Sequence, residues 1–456
     1  MVNTIQQSEL MQRLLKEKEV ARKFQERRHI DWNDNYELYR NKIQTNRLTQ
    51  RQAINVPLMK ETVKTLLSKI DEPPTIEWKE LSGDKEKELI FTEKWNTDYD
   101  RLNIEGIDIQ DKKTCLMYGR SFMKLNYSGG FMLNALDIYD VVIDPLVNSL
   151  DIETARFLIH QNIFRSLKEV LADDRYSTTA KQKLKTYLST KDGIIQSDTN
   201  KIELEKKQKR LLDMGVMSQD FNRWSAGDVL VNISEHYSKF WNKNTKQWDW
   251  GVYAYADDAV TLMSISLKKA LGIDFLPFVT WGEDIETQDI WNDAVADLVR
   301  NPNKLLNVWL SQMSENRTLK NFQMHWYLPT GGFTPQTYEP GPGRMLPAPA
   351  GEDIRKTIMP VEVSGLEDCM AQIEFLINLV EKGTGATATE KGELSQQKTT
   401  LGEVELAVGK AMERTQSMTK FYRRSREELA TKYYRIVDAN EDNSTKQTLY
   451  KTSSKG

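Results

Sequence analysis

One stretch of this sequence constrains the fold more than any other. Residues 328–349, LPTGGFTPQTYEPGPGRMLPAP, contain six of the chain's 13 prolines and four of its 23 glycines. Both residue types interrupt regular secondary structure, whereas the segments on either side have apolar residues at helical spacing. Loops of this length are uncommon in compact domains unless they have a function. The pattern predicts two helices joined by a stiff, functional loop, with an ordinary surface loop as the alternative.

The helix before this loop is predicted to cover residues 287–318. Its apolar positions recur with the helical period at Ile290, Ala294, Leu298, Leu305, Val308 and Trp309. One continuous helix of this length would reach about 48 Å at 1.5 Å per residue. We expect Asn301-Pro302 either to kink this helix or to begin a second one, because proline lacks an N–H donor and fixes φ.

The helix after the loop is predicted over residues 364–382, with Ser364 as its N-cap and Gly383 at its end. Its apolar stripe consists of Leu366, Met370, Ile373, Ile377 and Val380. Residues 383–400 are small and polar and read as a loop. A last helix is predicted over residues 401–437, and residues 438–456 are expected to be disordered.

The N-terminal 286 residues combine helix and strand patterns. Helical spacing covers residues 8–39, 55–70, 86–102 and 106–118. In the second of these segments we expect Asn55 to cap the helix and Pro57 to lie in its first turn. Alternating apolar residues predict a hairpin around Ser128-Gly129-Gly130, and a second where HYSKFW and WDWGVYAY flank NKNTKQ. Residues 166–224 are polar and mostly helical in pattern, with a charged run at residues 203–210 that is expected to be a solvated helix face. The chain is therefore predicted to be α+β and largely helical.

The overall charge argues against a dedicated nucleic-acid binder. There are 63 basic and 66 acidic residues, for a net charge of −3, whereas such binders usually carry a basic domain or stripe. We expect Arg423, Arg424 and Arg426 to face neighbouring acids such as Glu427 and Glu428 rather than DNA. Apolar residues, counted with glycine and without tyrosine, make up about 40% of the chain, below the roughly 45–50% of compact proteins. This deficit suggests an elongated subunit with much surface.

Motifs for catalysis, metals and cofactors are missing from the sequence. The four histidines lie in separate segments, and Cys115 and Cys369 follow no ligand or redox spacing. There is no phosphate-binding glycine loop, no nucleophile elbow and no apolar run long enough to span a membrane. We predict no cofactor, no metal and no membrane association. The acidic pairs Asp257-Asp258 and Glu283-Asp284 are interpreted as turn or capping residues.

The order of several short segments resembles the portal proteins of tailed bacteriophages, the ring subunits through which DNA enters and leaves the capsid. The resemblance runs through an aromatic segment at residues 32–39, then NVPLMKETVKTLLSKIDEPPTIEW, CLMYGRSFMKLNYSGG, ALDIYDVVIDP, the HYSKFW hairpin and FLPFVTW, and ends in the two helices. Each piece is short and of common type. Their order over about 400 residues carries the resemblance.

The resemblance implies a division of the chain into the parts of a portal subunit. These would be a wing (1–286), a first stem helix (287–318), an α/β clip (319–363), a second stem helix (364–382), a tunnel loop (383–400), a crown helix (401–437) and a disordered tail (438–456). Residues 322–327 and 357–363 would pair as short strands where the stem helices are joined. The short C-terminal part leaves little room for the long barrel extension of some family members.

The resemblance also implies a structural role without catalysis. Twelve subunits would form a ring at one capsid vertex, bind the terminase large subunit during DNA packaging and then adaptor or tail proteins, and contact major capsid and scaffolding proteins. Double-stranded DNA would pass transiently, and the ring would assemble in the host cytoplasm and reside in the virion. The implied contact residues are Phe333, Tyr338 and Arg344 in the clip, Lys391 and Lys398 in the tunnel loop, and Leu305, Trp309, Ile373 and Ile377 in the stem interface.

Two other classes of protein remain open at this point. One is a nucleic-acid enzyme that uses a carboxylate pair such as Asp257 with Glu283, which would act as a monomer or dimer and depend on a metal. The other is an oligomeric scaffold unrelated to DNA. Large rings with a central hole are expected of the portal subunit alone.

Overall fold

The computed structural model describes residues 2–41, 54–70, 76, 78, 85–190, 230–243, 245–286, 289–322, 324–327, 358–363, 369–385 and 401–441. Within these ranges the chain is a mixed α+β protein with antiparallel sheets, which confirms the predicted fold class at that level. The charged run at residues 203–210 lies outside the described residues.

The α-helices are α1 (Val2–Glu26), α2 (His29–Tyr39), α3 (Leu58–Lys69), α4 (Lys85–Leu102), α5 (Ile104–Tyr118), α6 (Leu167–Ala172), α7 (Thr178–Thr190), α8 (Leu267–Leu271), α9 (Val295–Asn321), α10 (Cys369–Thr384) and α11 (Leu401–Asn440). The strands are β1 (Arg120–Tyr127), β2 (Phe131–Ala135), β3 (Val141–Ile143), β4 (Phe157–Ser166), β5 (Leu230–Asn242), β6 (Gln247–Ala256), β7 (Val260–Ser266), β8 (Phe278–Gly282), β9 (His325–Tyr327) and β10 (Ile358–Pro360).

The strands form three antiparallel sheets. Their orders are β2-β1-β8, β3-β4-β5-β6-β7 and β10-β9. Both predicted hairpins are confirmed, since β1 pairs with β2 and β5 pairs with β6. In the first hairpin Tyr127 lies opposite Phe131, and Gly129 adopts a φ of 67° in the turn, a conformation that glycine reaches without steric cost. Both hairpins could therefore be predicted from the alternation of apolar residues, because the paired strands are close in sequence and are joined by short turns.

The core is built around a group of aromatic side chains. Trp32 of α2 packs edge-on against Trp291 at 5.5 Å between ring centroids, and against Tyr139 at 5.3 Å. Phe122 of β1 also packs edge-on against Trp291, at 5.9 Å. Edge-to-face geometry places the positive edge of one ring on the negative face of the next. This cluster joins α2, the β2-β1-β8 sheet and the segment before α9 into one body.

The segment before α9 is not helical. The helix predicted over residues 287–318 begins at Val295 and continues to Asn321. The side chain of Asp289 accepts a hydrogen bond from the backbone N–H of Trp291 at 2.9 Å, and Trp291 is buried in the aromatic cluster. The predicted start is wrong because burial of Trp291 holds the chain in an irregular path that helical spacing alone does not reveal.

The helix α9 passes through Pro302 without ending. A second helix therefore does not begin there, and of the two predicted outcomes the start of a new helix is wrong. Asp297 stabilises the first turn by accepting a hydrogen bond from the backbone N–H of Ala294 at 2.8 Å. At 1.5 Å per residue the helix is about 40 Å long.

The helix α10 ends two residues later than predicted. Its described part starts at Cys369, so the predicted cap Ser364 lies outside the described residues. Gly383 is inside the helix, and the turn that stops it occurs at Gly385, which has a φ of 75° and donates its N–H to the carbonyl of Glu381 at 2.8 Å. The predicted boundary is wrong because the second of two nearby glycines takes the left-handed conformation that ends a helix.

The C-terminal helix α11 binds the N-terminal half through buried charges. Arg426 forms ion pairs with Asp108 at 2.9 Å and Asp111 at 2.6 Å, and all three side chains are buried. The predicted pairing of Arg426 with the adjacent Glu427 or Glu428 is wrong, because the acids of α5 reach it inside the core. Arg423 and Arg424 are exposed.

The end of α11 also differs from the prediction. The helix extends to Asn440, whose side-chain amide donates to the carbonyl of Leu271 at 2.7 Å. The next residue, Glu441, pairs with Lys94 of α4 at 3.2 Å. The disordered tail was predicted from residue 438, and this boundary is wrong because two long-range contacts hold residues 440 and 441. Residues 442–456 lie outside the described residues.

Replacing Arg426 with Ala tests the buried ion-pair network. The substitution removes the arginine that the two acids share. Asp108 keeps its ion pair with Lys112 at 2.7 Å, and Asp111 keeps the neutral indole N–H of Trp281 at 2.7 Å. Removal of one member of a buried pair typically costs about 3–5 kcal/mol. We expect Arg426→Ala to lower the free energy of unfolding by this order, measured by urea denaturation. The matched control is Arg424→Ala, an exposed arginine on the same helix, which should change stability by less than about 0.5 kcal/mol. Equal effects of the two substitutions would contradict the assignment.

Candidate subunit interface on helices α9 and α10

One face of α9 is fixed to the body by polar side chains. Asn303 Oδ1 accepts a hydrogen bond from the N–H of Met59 at 3.0 Å, and Asn307 Oδ1 accepts one from the N–H of Val56 at 2.8 Å. Ser311 Oγ accepts from the N–H of Ile54 at 3.0 Å. These three acceptors recur every four residues, so they lie on one face of the helix. They bind the extended segment before α3 and the first turn of α3 itself.

This arrangement replaces the cap that the sequence suggested for α3. Asn55 was the expected cap, but Pro57 occupies the N-cap position and provides no side-chain hydrogen bond. The first N–H groups of a helix have no partner within it. Asn303 of α9 supplies one for Met59. Sequence reasoning missed this role because the residues are 244 positions apart, although three polar residues spaced by four within an apolar helix are a usable signal.

The helix α10 packs against α9 within the chain. Ile373, Leu376 and Val380 are buried in the same apolar cluster as Leu306 of α9. Trp309 and Ile377 are half-buried and pack against this cluster. Lys69 Nζ of α3 donates to the carbonyl of Gly385 at 2.7 Å, which holds the end of α10 near the body. Thus Trp309, Ile373 and Ile377, predicted as stem-interface residues, join the two helices inside a single chain.

The other face of α10 is apolar and exposed. Phe375 is 68% exposed and Leu379 is 51% exposed. Phe375 follows the buried Ile373 by two residues, about 200° around the helix. A surface helix normally has one apolar stripe, which faces the core, so large apolar side chains on its solvent side are unusual. The single chain covers one side of α10 and leaves the other in water.

The helix α9 has an exposed apolar stripe of its own. Leu298 is 59% exposed and Leu305 is 40% exposed, and Leu319 is also exposed. Their spacings of seven and fourteen residues place them on one face, since seven residues make nearly two helical turns. Leu305 follows Asn303 by two residues and so points away from the body. The fourth predicted stem residue therefore belongs to this exposed stripe.

More apolar side chains are exposed where the two helices are connected. β9 and β10 pair antiparallel, with Tyr327 opposite Ile358 and His325 opposite Pro360, which confirms the predicted pairing of these two segments. Phe322, Met324 and Met359 at this ribbon are exposed. Together with the helix stripes and Met370, nine of the 20 exposed large apolar residues of the described chain lie between Leu298 and Leu379. Exposed apolar side chains concentrated in one part of a chain indicate a candidate interaction surface.

Phe333, Tyr338 and Arg344 of the predicted clip lie outside the described residues, as do Lys391 and Lys398 of the predicted tunnel loop. The paired strands β9 and β10 flank the first group in sequence.

The alternative carboxylate pair is not assembled. Asp257 lies in the turn between β6 and β7, where it and Asp258 have φ values of 49° and 54°, and it accepts a hydrogen bond from the N–H of Asn232 at 3.2 Å. The predicted turn role of this pair is confirmed. Glu283 follows β8 in a different sheet, so the two carboxylates belong to separate parts of the body.

Glu283 has an unusual environment. The residue is half-buried, but its Oε2 is shielded from solvent and has no hydrogen-bond partner. Burial raises the pKa of Glu283 well above its usual range, and the charges of Asp284 and Asp297 raise it further. The backbone N–H of Val295, the first residue of α9, donates a hydrogen bond to this carboxyl group, which agrees with the interpretation of Glu283 as a capping residue. Within the described residues, no group of three or more His, Cys, Asp or Glu side chains is arranged to hold a metal ion.

Among the helices of the described chain, none is both long enough and apolar enough to cross a membrane. A scan against protein-family models and a search of curated proteins each returned no match to this chain.

Replacing Asn303 with Ala tests the anchoring of α9. The N–H of Met59 would lose its acceptor, and an unsatisfied buried donor costs about 1–3 kcal/mol. We expect Asn303→Ala to lower the free energy of unfolding by this amount. Asn301→Ala, an exposed asparagine on the same helix, is the control and should be nearly neutral. If both variants unfold at the wild-type urea midpoint, Asn303 does not anchor the helix.

The raised pKa of Glu283 predicts a pH-dependent effect on stability. Above its unfolded pKa of about 4.3, the unfolded chain ionises Glu283 while the folded protein retains the proton, so folding becomes less favourable as pH rises towards the folded pKa. We expect Glu283→Gln to be more stable than wild type at pH 7, with a difference that shrinks to nothing near pH 4. Unfolding free energies measured across this range check the sign. Glu286→Gln, at an exposed neighbour, should show no such trend.

Proposed function

We propose that this chain is a portal-type subunit that assembles into a ring, with α9 and α10 forming the contact between neighbouring subunits. The observation that carries the proposal is that each helix has one face bound within the chain and an apolar stripe left exposed. Phe375 and Leu379 form the stripe of α10, and Leu298, Leu305 and Leu319 form that of α9.

Two distinct stripes favour a head-to-tail contact. In such a contact one surface of a subunit binds a different surface of the next, and repetition closes into a ring when the rotation between subunits allows it. The stripe of α10 on one subunit would pack on the stripe of α9 on its neighbour. Full burial of a Leu or Phe side chain stabilises by about 1.5–3 kcal/mol. A few such residues, repeated at every contact, supply the stability that a chain of low apolar content lacks alone.

The ribbon β9–β10 would then belong to the clip, at the joined ends of the two stem helices. Phe322, Met324 and Met359 are exposed there, and the residue types at Phe333, Tyr338 and Arg344 are those that most often dominate binding energy at interfaces. We propose that this end binds the terminase large subunit during packaging and adaptor or tail proteins afterwards.

The remaining assignments follow the order of segments described in the sequence. Residues 1–286 would form the wing that contacts capsid and scaffolding proteins, and α11 the crown helix. Twelve copies would surround the DNA at one vertex of the virion. A net charge of −3 suits a channel wall, because a surface that neutralised many phosphates would hold DNA rather than let it slide. Lys391 and Lys398 would touch the backbone in passing, and no catalytic step is assigned to the chain.

The exposed stripe of α10 provides the test. We expect the wild-type protein to form large rings with a central hole in negative-stain images, and the double variant Phe375→Asp/Leu379→Asp to remain monomeric by light scattering, because charged side chains cannot be buried in the apolar contact. The control is Leu146→Asp, at an exposed leucine outside these helices, which should leave rings intact.

Two results would contradict the proposal. Rings formed equally well by the double variant would show that α10 is not at the contact. A wild-type protein that stays monomeric at all concentrations would exclude a ring altogether, and metal-dependent cleavage of DNA by such a monomer would support the carboxylate enzyme instead.

A further inference from the structure

A pair of exposed tryptophans lies at the end of the β5–β6 hairpin. Trp241 and Trp248 are directly opposite each other in the two strands, and their rings pack edge-on with centroids 5.6 Å apart. Trp241 is 49% exposed and Trp248 is 65% exposed. Cross-strand aromatic pairs stabilise hairpins modestly. That role alone does not explain why both indoles remain so accessible on a hairpin that already pairs over ten positions.

Trp248 also forms one wall of a groove between this hairpin and α1. The groove has a volume of about 890 Å³. Its apolar surface comes from Val20 of α1, Phe157 of β4 and Trp248, and its cationic side chains are Arg13, Lys16, Arg156 and Lys239. A concave, partly apolar site with a few charged groups at its edge is the usual form of a binding site for a side chain or small ligand.

The two arginines of the groove are already paired. Arg13 donates to Glu17 at 2.8 Å, and Arg156 donates to both carboxylate oxygens of Asp144, at 2.6 and 2.7 Å. Burial raises the pKa of Asp144, but the hydrogen bonds from Arg156 outweigh this and keep that pKa below its usual value. Both acids therefore stay ionised at neutral pH and neutralise the arginines.

The lysines leave a surplus of positive charge. Lys239 donates to the backbone carbonyl of Glu153 at 2.6 Å, and within the described residues neither it nor Lys16 has a carboxylate at ion-pair distance. The same holds for Lys243 and Lys246, which are exposed at the turn of the hairpin. The same hairpin also carries the acidic residue Asp249, which accepts a hydrogen bond from Asn242. The surface is thus locally cationic on a chain whose net charge is −3.

The geometry favours a peptide over a nucleic acid. Single-stranded nucleic acids bind by stacking successive bases on aromatic faces and by neutralising a line of phosphates. Trp241 and Trp248 meet at 70°, so they do not offer two parallel faces. Four lysines that lack a carboxylate partner among the described residues are also few for a phosphate backbone. A groove with an apolar wall and amines at its edge instead matches an apolar side chain flanked by carboxylates. Tryptophan is also the residue type most enriched where protein partners bind tightly.

We propose that this groove and the adjoining tryptophan pair bind an acidic peptide segment of a partner protein, with an apolar side chain of that segment inserted against Val20, Phe157 and Trp248. The site is formed by α1, β4, β5 and β6 and contains no residue of α9 or α10. It does not depend on the proposed ring contact, and its failure would leave that contact untouched.

The test uses the full-length protein and a fluorescein-labelled synthetic peptide of aspartates and glutamates around a central Leu-Phe pair. We expect saturable binding by fluorescence anisotropy that weakens with added salt. Trp248→Ala and the charge reversal Lys16→Glu should each weaken binding by about tenfold or more, as expected for anchor residues of an interface. Leu146→Ala and Lys85→Glu, at exposed positions outside the groove, should bind as wild type. Lys16→Glu leaves the hairpin intact and so remains informative if Trp248→Ala perturbs folding.

Four outcomes would overturn the proposal. They are no binding of the acidic peptide, equal binding of a peptide in which lysines replace the acids, wild-type affinity in both groove variants, and tighter binding of single-stranded oligothymidine than of the peptide. The last would identify the surface as a nucleic-acid site. A lowered melting temperature of Trp248→Ala with unchanged peptide affinity would assign the tryptophans to hairpin stability alone.

Discussion

The rest of the arrangement depends on one constraint, which is that α9 has a fixed orientation about its own axis. Asn303, Asn307 and Ser311 each accept a hydrogen bond from the backbone of residues 54–59. Turning the helix to bury Leu298 and Leu305 would break all three and leave one buried and two partly buried N–H groups without these acceptors. The body therefore holds the leucines outward, and the apolar stripe is a consequence of polar contacts on the opposite face.

Buried charges set a second constraint, at the other end of the chain. Arg426 bridges Asp108 and Asp111, Lys432 donates to the carbonyls of Leu276 and Phe278 at 2.9 and 2.7 Å, and Lys124 pairs with Glu235 between two sheets. Such pairs add little stability over apolar substitutes, but they penalise every alternative in which one partner is missing. The contacts of Arg426 and Lys432 return α11 to the N-terminal body. The chain leaves this body along α9 and comes back to it after α10.

Local patterns in the sequence predicted the helices and strands better than they predicted which side chains contact each other across the fold. The two hairpins and the pairing of β9 with β10 were predicted, because alternation within a strand and the need to join two helices are both visible in short stretches. The partners of Arg426 were not, because they lie over 300 positions away. Likewise the buried Trp291 displaced the start of α9, and Asn303 took the capping role expected of Asn55. The four stem residues were recognised as apolar helix positions. Periodicity does not reveal that three of them pack between α9 and α10 within the chain, whereas Leu305 faces outward.

The groove beside Trp248 was missed for the same reason. Its residues come from α1, from β4 and its preceding residue, and from the β5–β6 hairpin. Apart from the buried Phe157, each is an ordinary surface residue in its own segment. Glu17, paired with Arg13 in the groove, also forms a 2.9 Å contact with the buried His236 of β5, so the docking of α1 on the sheet and the shape of the groove share one carboxylate. A contact that fixes α1 on the sheet therefore also fixes the distance across the groove between Lys16 and the indole of Trp248. The binding surface is thus as rigid as the packing of α1 on the sheet, which lowers the entropy lost when a partner binds.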